Sequence, residues 1–265
     1  MTDAPILCVT GLCKSFGAVV AARDISVDVA AGEVVGIIGA NGAGKTVFVN
    51  MITGYLKPSR GTITFAGTDI TGIRPCDAAH IGVCRSFQTS QVFMTMSVLD
   101  NLLIATAIAS KGRTSLLRPL RDDARITQCE AILNRYGIRE YRDRVASTLS
   151  QGASKLLDIA MAGVSEPRVL LLDEPTSGVS VEEKYDIMDV VISASRRQGT
   201  AVLLIEHDME IVERYADRVL AFDQGEKICD APPRQVLADP RVRALIVGPD
   251  DADDSTARPR ETTDA

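Results

Sequence analysis

The sequence predicts an α/β fold in which a mostly parallel β-sheet is interrupted by a helical insertion. Unbroken apolar runs at residues 34–38, 169–172 and 201–205 are typical of strands that are covered on both faces. Helical patterns separate the later runs, and this strand–helix–strand order favours parallel pairing. A long stretch, residues 97–163, is mainly helical in pattern. The chain has 265 residues, enough to bury a core without disulfides or a structural metal.

The first part of the chain is predicted to form several strands and one helix. Residues 6–10 and 25–29 have strand character, and the second segment alternates between apolar and polar side chains. After a turn, the apolar run at 34–38 predicts a buried strand, and a glycine-rich loop leads from it into a helix over 45–53. Residues 62–65, followed by Ala-Gly, predict a hairpin strand.

The second part of the chain is first helical and then returns to strands. A polar, basic segment at 110–125 interrupts the helical stretch, and we place the helical insertion at about residues 90–165. After Pro167 the pattern predicts strands at 169–172, 201–205 and 218–222, with a helix between each pair.

Several protein classes are excluded by the sequence. Its longest apolar runs are far shorter than the roughly 20 residues of a membrane helix. The first residues lack the basic start and apolar stretch of a secretory signal. The six cysteines form no CxxC pair and the two histidines lie far apart, so no zinc site is indicated. This pattern is typical of reduced, structural thiols in the cytoplasm.

The net charge of −6 comes largely from one end of the chain. Residues 249–265 carry six acidic side chains and two arginines, and we expect a disordered, solvated tail there. The remaining body, with 4% aromatic residues and no Trp, is nearly neutral. Nucleic-acid binding usually needs a basic face or stacking rings, so we expect no nucleic-acid partner.

A phosphate-binding loop follows the strand at 34–38. The segment fits the pattern G-x-x-x-x-G-K-[ST] and reads Gly39-Ala40-Asn41-Gly42-Ala43-Gly44-Lys45-Thr46. Its glycines let backbone N–H groups surround phosphate oxygens, at the positive end of the following helix. Lys45 can reach the β- and γ-phosphates, and the Thr46 hydroxyl can ligate Mg²⁺. On its own the motif indicates a nucleotide-binding protein, whether a kinase, a GTPase or a transport ATPase.

Two carboxylates, Asp173 and Glu174, end the apolar run at 169–172. The carboxyl ends of parallel strands face the ligand crevice, so Asp173 is placed to hold Mg²⁺ through water. Glu174 could polarise an attacking water as a general base, which favours ATP hydrolysis over transfer to a small molecule. An acidic turn that caps the next helix is the alternative.

Five further segments, with the two motifs above, stand in an order that resembles the ATPase subunits of ABC transporters. The five are Lys14-Ser15-Phe16-Gly17, Ser86-Phe87-Gln88, Leu149-Ser150-Gln151-Gly152, Pro175-Thr176-Ser177-Gly178-Val179-Ser180 and Leu204-Ile205-Glu206-His207-Asp208. Each has an ordinary alternative when taken singly, and only their order and spacing distinguish the family. The resemblance covers about residues 5–248, leaving 249–265 as the tail.

The resemblance implies a P-loop NTPase core, an N-terminal antiparallel β subdomain and an inserted helical subdomain. It implies ATP and Mg²⁺ as ligands, with Lys45, Glu174 and His207 as catalytic residues. Mg²⁺ would be held by Thr46, Asp173 and Gln88. The remaining nucleotide-binding residues would be Phe16 against adenine, the loop from Gly39 to Thr46 with Val47 after it, Gln88, and Ser150 and Gly152.

The resemblance also implies partners. Two ATPase subunits would close head to tail, so that Ser150 and Gly152 contact the γ-phosphate bound to the other subunit. The resemblance favours a heterodimer of two different ATPase subunits over a homodimer. Two membrane permeases and, indirectly, a solute-binding protein would complete a transporter, with this chain peripheral on the cytoplasmic face of the inner membrane.

Finer features resemble the larger ATPase type of branched-chain amino acid importers. They are Arg85-Ser86-Phe87-Gln88-Thr89 with Val92-Phe93, Ser97-Val98-Leu99-Asp100-Asn101, the basic stretch 111–125 and the ending from Asp239-Pro240 to Gly248. Related systems carry urea, short amides, other amino acids or aromatic acids, so the solute stays open. An exporter ATPase, or a nucleotide-binding regulatory subunit of low turnover, is the alternative.

The chain departs from the family pattern at several positions. Gln151 and Ala153 flank the signature glycine, Ser180 replaces the usual Asp, and Val47 replaces a second hydroxyl. Residues 162–164 also differ from the common Arg-Ala-Leu. Because Lys45, Asp173, Glu174 and His207 are all present, we hypothesise that the site on this subunit's own P-loop is hydrolytically competent. The site that its signature completes in the partner subunit would be weaker.

Overall fold

The structure is a computed structural model that describes residues 4–86, 91–110 and 119–247. The strands are β1 Leu7–Phe16, β2 Val19–Val29, β3 Val34–Gly39, β4 Arg60–Phe65, β5 Thr68–Asp69, β6 Val83–Arg85, β7 Val169–Asp173, β8 Ala201–Ile205, β9 Arg218–Asp223 and β10 Glu226–Ala231. The helices are α1 Lys45–Ile52, α2 Pro75–Ile81, α3 Val98–Ala109, α4 Asp123–Arg135, α5 Gln151–Ala162, α6 Val181–Gln198, α7 Met209–Tyr215, α8 Pro233–Ala238 and α9 Pro240–Val247.

The larger sheet has the strand order β10-β9-β3-β8-β7-β6. Its strands are parallel except for β10, which pairs antiparallel with β9 at one edge. The helices α3, α4 and α5 are inserted between β6 and β7, which are neighbours in the sheet. The predicted α/β class with an inserted helical region is therefore confirmed.

Both faces of the large sheet are buried, and alternate residues of each strand serve different cores. Leu170 and Leu172 of β7 face a core shared with the inserted helices. Val169 and Leu171 face the second core, formed with α1 and the smaller sheet. This two-sided burial explains why the strands are continuous apolar runs rather than alternating ones.

The smaller sheet is antiparallel, with the strand order β2-β1-β4-β5. Its strands β1 and β2 are longer than the predicted segments 6–10 and 25–29. Register shifts interrupt the pairing of these two strands between Val9 and Ser15. Gly11 lies there with φ 59°, in the left-handed region. A bulge breaks the alternation of apolar and polar residues from which a strand is predicted. The predicted segments are therefore shorter than the strands.

Helix α3 is capped by a serine and linked to the preceding segment by a buried asparagine. Ser97 is the N-cap, and its Oγ accepts from the Asp100 amide at 3.1 Å. Asn101 is fully buried inside the helix, where its Oδ1 accepts from the Phe93 amide at 2.7 Å. Its Nδ2 donates to the carbonyls of Phe93 and Ser97 at 3.1 and 2.9 Å. Asn101 therefore ties the segment before α3 to the helical region.

Among the residues that the structure describes, no helix is both long and apolar enough to cross a membrane.

Candidate nucleotide-binding site

The phosphate loop joins β3 to α1 at the carboxyl end of the large sheet. Gly39 has φ 146°, and a Cβ there would lie 2.3 Å from the Phe222 carbonyl oxygen. Gly44 has φ 100°, and a Cβ there would lie 2.9 Å from the Ala21 carbonyl oxygen. Because both positions exclude a side chain, the loop backbone is held close to β9 and β2.

Lys45 folds back over the loop that it follows. Its side chain is buried, and Nζ donates to the carbonyl oxygens of Gly39 and Ala40 at 2.5 and 3.0 Å. Burial lowers the pKa of Lys45, although the nearby carboxylates of Glu174 and Asp173 oppose this effect. The ammonium group is thus held by carbonyl oxygens inside the loop, where it is poorly solvated and available to a stronger anion.

Strand register brings the acid pair beside this loop. Asp173 of β7 is paired with Ile205 of β8, and Ile205 is paired with Ile37 of β3. The ends of the three strands therefore form one edge. A cavity of about 160 Å³ opens at this edge. It is lined by Ala21, Asn41, Gly42, Ala43, Gly44, Lys45, Thr46, Val47, Asp173, Glu174, Ile205 and His207.

Glu174 is held in an unusual backbone conformation at this edge. Its φ is 49°, in the left-handed region, and its amide donates to the Ile205 carbonyl at 3.0 Å. Its Oε1 lies 3.0 Å from Nε2 of His207. A left-handed conformation costs free energy in a non-glycine residue, so the surrounding structure must hold Glu174 in it. The side chains of Glu174 and His207 are therefore in contact in the lining of the cavity.

Glu206 is a buried carboxylate for which the sequence predicts no role of its own. Its side chain is 3% exposed, and its Oε1 accepts from the Thr176 amide at 3.1 Å and the Thr176 hydroxyl at 2.8 Å. Its Oε2 accepts from the His207 amide at 3.3 Å. Glu206 therefore fixes the segment after Glu174 relative to His207. The sequence signal that could have identified Glu206 is the run of three polar residues, Glu206-His207-Asp208, directly after an apolar strand.

Replacing Glu206 with alanine is expected to lower the free energy of unfolding by about 2 kcal/mol or more, because each buried unsatisfied donor costs about 1–3 kcal/mol. Urea denaturation measures this loss. The matched variant Glu206→Gln keeps an acceptor oxygen for Thr176, so we expect it to lose less than half as much. Equal losses in the two variants would contradict the assigned hydrogen bonds.

The same carboxylate predicts a pH dependence. Burial raises the pKa of Glu206 in the folded state, so folding favours its protonated form. Its contribution to stability is therefore present below the ordinary pKa and is lost as the pH rises through the raised value. The stability of Glu206→Gln should change less than that of the wild type over this window.

Three of the predicted residues outside the phosphate loop, Phe16, Ser150 and Gly152, do not line this cavity. Phe16 is 51% exposed on β1, and Lys14 Nζ lies 5.2 Å from the centre of its ring. Ser150 is the N-cap of α5, where its Oγ accepts from the Ala153 amide at 3.2 Å. Gly152 is buried next to α6. Gln88 lies outside the described residues, so its predicted role stays a prediction.

Ser180, which stands where the family usually has Asp, is the N-cap of α6. Its Oγ accepts from the Glu183 amide at 3.3 Å, and the Glu183 carboxylate accepts from the Ser180 amide at the same distance. This reciprocal pair is a capping box. The same Glu183 covers Gly152, where a Cβ would lie 3.0 Å from its Oε1. The segment after Glu174 and the start of α5 are therefore in contact.

Comparison with known proteins gives consistent matches. The family described as "ABC transporter" matches residues 22–177. The branched-chain amino acid transport ATP-binding protein LivG of Salmonella typhimurium is 34% identical, with 92% of this chain and 98% of that protein covered. BraF of Pseudomonas aeruginosa is 33% identical over the same shares.

The chain belongs to the ABC transporter family. Its fold matches the ADP conformation of MJ1267, an ATP-binding cassette of an ABC transporter, with a TM-score of 0.84 and 33% identity. That comparison covers 92% of this chain and 99% of the other. As an ABC transporter ATPase, the chain binds ATP and couples its hydrolysis to transport.

Proposed function

We propose that this ABC ATPase energises the import of branched-chain amino acids or closely related small solutes. The observation that carries the proposal is the single cavity that collects Lys45, Thr46, Asp173, Glu174 and His207. The solute class comes from the LivG and BraF relatives, whose names specify branched-chain amino acid transport.

The phosphates of ATP fit the loop side of the cavity. Backbone N–H groups of residues 39–46 and the start of α1 supply partial positive charge. The Lys45 ammonium leaves its carbonyl partners for the more strongly charged β- and γ-phosphate oxygens. This exchange replaces neutral acceptors with anionic ones, so it favours the bound triphosphate.

The donor set at the carboxyl edge suits Mg²⁺. The Thr46 hydroxyl and the Asp173 carboxylate line the same cavity, and both are hard oxygen ligands of the kind that Mg²⁺ prefers. Bound there, Mg²⁺ would neutralise charge on the terminal phosphates. Gln88 is proposed to add a third ligand.

Hydrolysis follows from the Glu174–His207 pair. We assign Glu174 as the base that accepts a proton from the attacking water, with its carboxylate oriented by His207 at 3.0 Å. His207 also lines the cavity, and we assign it to stabilise the charge that develops on the γ-phosphate. Phe16 is proposed to stack against adenine, which fits its exposure on β1.

The proposal requires partner subunits. Ser150 and Gly152 open α5, a helix N-terminus suited to the γ-phosphate bound by a second ATPase subunit, with an unlike subunit favoured. The chain would act at the cytoplasmic face of the inner membrane, as a peripheral subunit bound to two permeases. A solute-binding protein would deliver the solute to these permeases.

A large apolar groove supports docking of a permease. Its volume is about 430 Å³, and it lies between α2, β6 and the inserted helices. Tyr55, Phe93 and Ile108 line it and remain 54%, 46% and 70% exposed. Exposed apolar and aromatic side chains around a groove are typical of protein-binding surfaces, in this case one that would receive a permease helix.

Transport measurements test the proposed function. In cells that lack the native gene, uptake of radiolabelled leucine, isoleucine or valine should fall and should return with the wild-type chain. Glu174→Gln should not restore uptake, whereas the surface variant Glu166→Gln should. Unchanged uptake of all three amino acids in the deletion strain would contradict the proposed solute class.

A further inference from the structure

Arg85 is a buried arginine at the end of β6 to which the proposed hydrolysis assigns no role. Its side chain is 8% exposed, and the Asp173 side chain beside it is 13% exposed. Nη2 of Arg85 donates to Oδ2 of Asp173. Nη1 donates to Oδ1 of Asn50 at 2.6 Å. One guanidinium group therefore joins two side chains from different elements.

The two elements are those that carry the proposed Mg²⁺ ligands. Asn50 stands four residues after Thr46 on α1, so both side chains project from the same face of that helix. Asp173 ends β7. The Arg85 guanidinium thus bridges the helix of the hydroxyl ligand and the strand of the carboxylate ligand.

The backbone of Arg85 is itself fixed relative to β7. Arg85 is paired with Leu171 in the parallel register, and the next amide, that of Ser86, donates to the Leu171 carbonyl at 2.9 Å. A guanidinium presents its donors in one rigid plane, so with a fixed backbone it also fixes the positions of its acceptors. An ammonium group, with one nitrogen on a flexible stem, cannot do this for both.

We propose that Arg85 is a positioning residue: by bridging Asp173 and Asn50 it sets the spacing between the Asp173 carboxylate and the Thr46 hydroxyl that Mg²⁺ binding requires. This inference rests on the proposed Mg²⁺–ATP site. It assigns Arg85 to the preparation of that site, with no contact to the reacting atoms. It also places the control of metal affinity directly before the Ser86-Phe87-Gln88 segment.

Manganese binding tests the proposal without activity as the readout. Mn²⁺ is titrated into the purified full-length chain with a non-hydrolysable ATP analogue and followed by electron paramagnetic resonance. Removing a group that orients a metal ligand typically weakens affinity about 10–100-fold, and we expect about 10-fold for Arg85→Gln. The affinity for the analogue without metal should change less than about two-fold, since the phosphate loop is untouched.

Three variants separate positioning from charge and from stability. Arg85→Lys keeps the charge but not the planar bridge, so it should recover little of the lost affinity. Asn50→Ala keeps the buried ion pair and should weaken Mn²⁺ binding about three-fold, with no further loss when it is added to Arg85→Gln. The control Arg218→Gln removes a guanidinium on β9 that contacts Glu33 and Asp230, away from β6 and β7. It should lower the melting temperature and leave Mn²⁺ affinity unchanged.

Each outcome decides between hypotheses. Unchanged or tighter Mn²⁺ binding by Arg85→Gln, or full recovery by Arg85→Lys, would overturn the proposed bridge. If Arg85→Gln does not fold, the Asn50→Ala titration decides, and normal affinity there overturns it equally. Absence of saturable Mn²⁺ binding by the wild type would instead refute the proposed metal site itself.

Discussion

Replacing Glu174 with glutamine is expected to lower the rate of ATP hydrolysis about 100-fold or more, because a positioned general base contributes roughly 10²–10⁴-fold. The amide keeps the size of the side chain but cannot accept the proton of the attacking water. ATP binding should persist, because this interaction forms only in the transition state. Phosphate release under single-turnover conditions, together with a nucleotide titration, measures both quantities.

Glu166→Gln is the matched control for this substitution. Glu166 has the same left-handed backbone, with φ 50° against 49° for Glu174, but its side chain is exposed and pairs with Arg135. The Glu166→Gln variant should hydrolyse ATP at the wild-type rate. In an assembly with an unlike partner, Glu174→Gln should cost more turnover than the equivalent change in the partner. Equal losses would contradict the hypothesis of unequal sites.

Replacing Lys45 with methionine is expected to weaken ATP affinity by about 10–100-fold, because charge-assisted hydrogen bonds contribute about 1.5–3 kcal/mol. Burial lowers the pKa of this lysine, so the folded protein holds its ammonium group at a cost in the absence of ligand. The melting temperature without ATP should therefore not fall, while the increase on adding ATP should shrink. Differential scanning fluorimetry with and without ATP measures both.

Lys227→Met is the control for Lys45. Lys227 Nζ also donates to a backbone carbonyl, that of Ser26 at 2.7 Å, and to Asp230 at 2.8 Å, but it does not line the nucleotide-binding cavity. This variant should lose some thermal stability and keep its response to ATP. If Lys45→Met kept the full ATP-induced shift, the assignment of Lys45 to the phosphates would be wrong.

The central strands were predictable because burial on both faces leaves a continuous apolar run. The predicted segments 34–38, 169–172 and 201–205 differ from β3, β7 and β8 by at most one residue at an end. The edge strand β10 was missed, since Glu226, Lys227 and Asp230 break its apolar pattern. Three-residue β6 was also missed, because it is too short for any periodicity to register.

Within the site, residues with distinctive local motifs were predictable and their supporting residues were not. The phosphate loop and the acid pair could be predicted because their functional residues lie within short segments, one with a distinctive glycine spacing and one at the end of a strand. Arg85, Asn50 and Glu206 act through contacts between elements far apart in the chain. Such contacts depend on sheet order, which no local pattern encodes.

The position of β8 between β3 and β7 has a consequence for synthesis of the chain. A growing polypeptide presents its phosphate loop first and its acid pair next, while the strand that separates them, residues 201–205, is still to be translated. Until β8 emerges, the strand that pairs with both β3 and β7 is missing, and His207 has not been synthesised. Cellular ATP can therefore act as a stabilising ligand at the complete site only after residue 207 has left the ribosome.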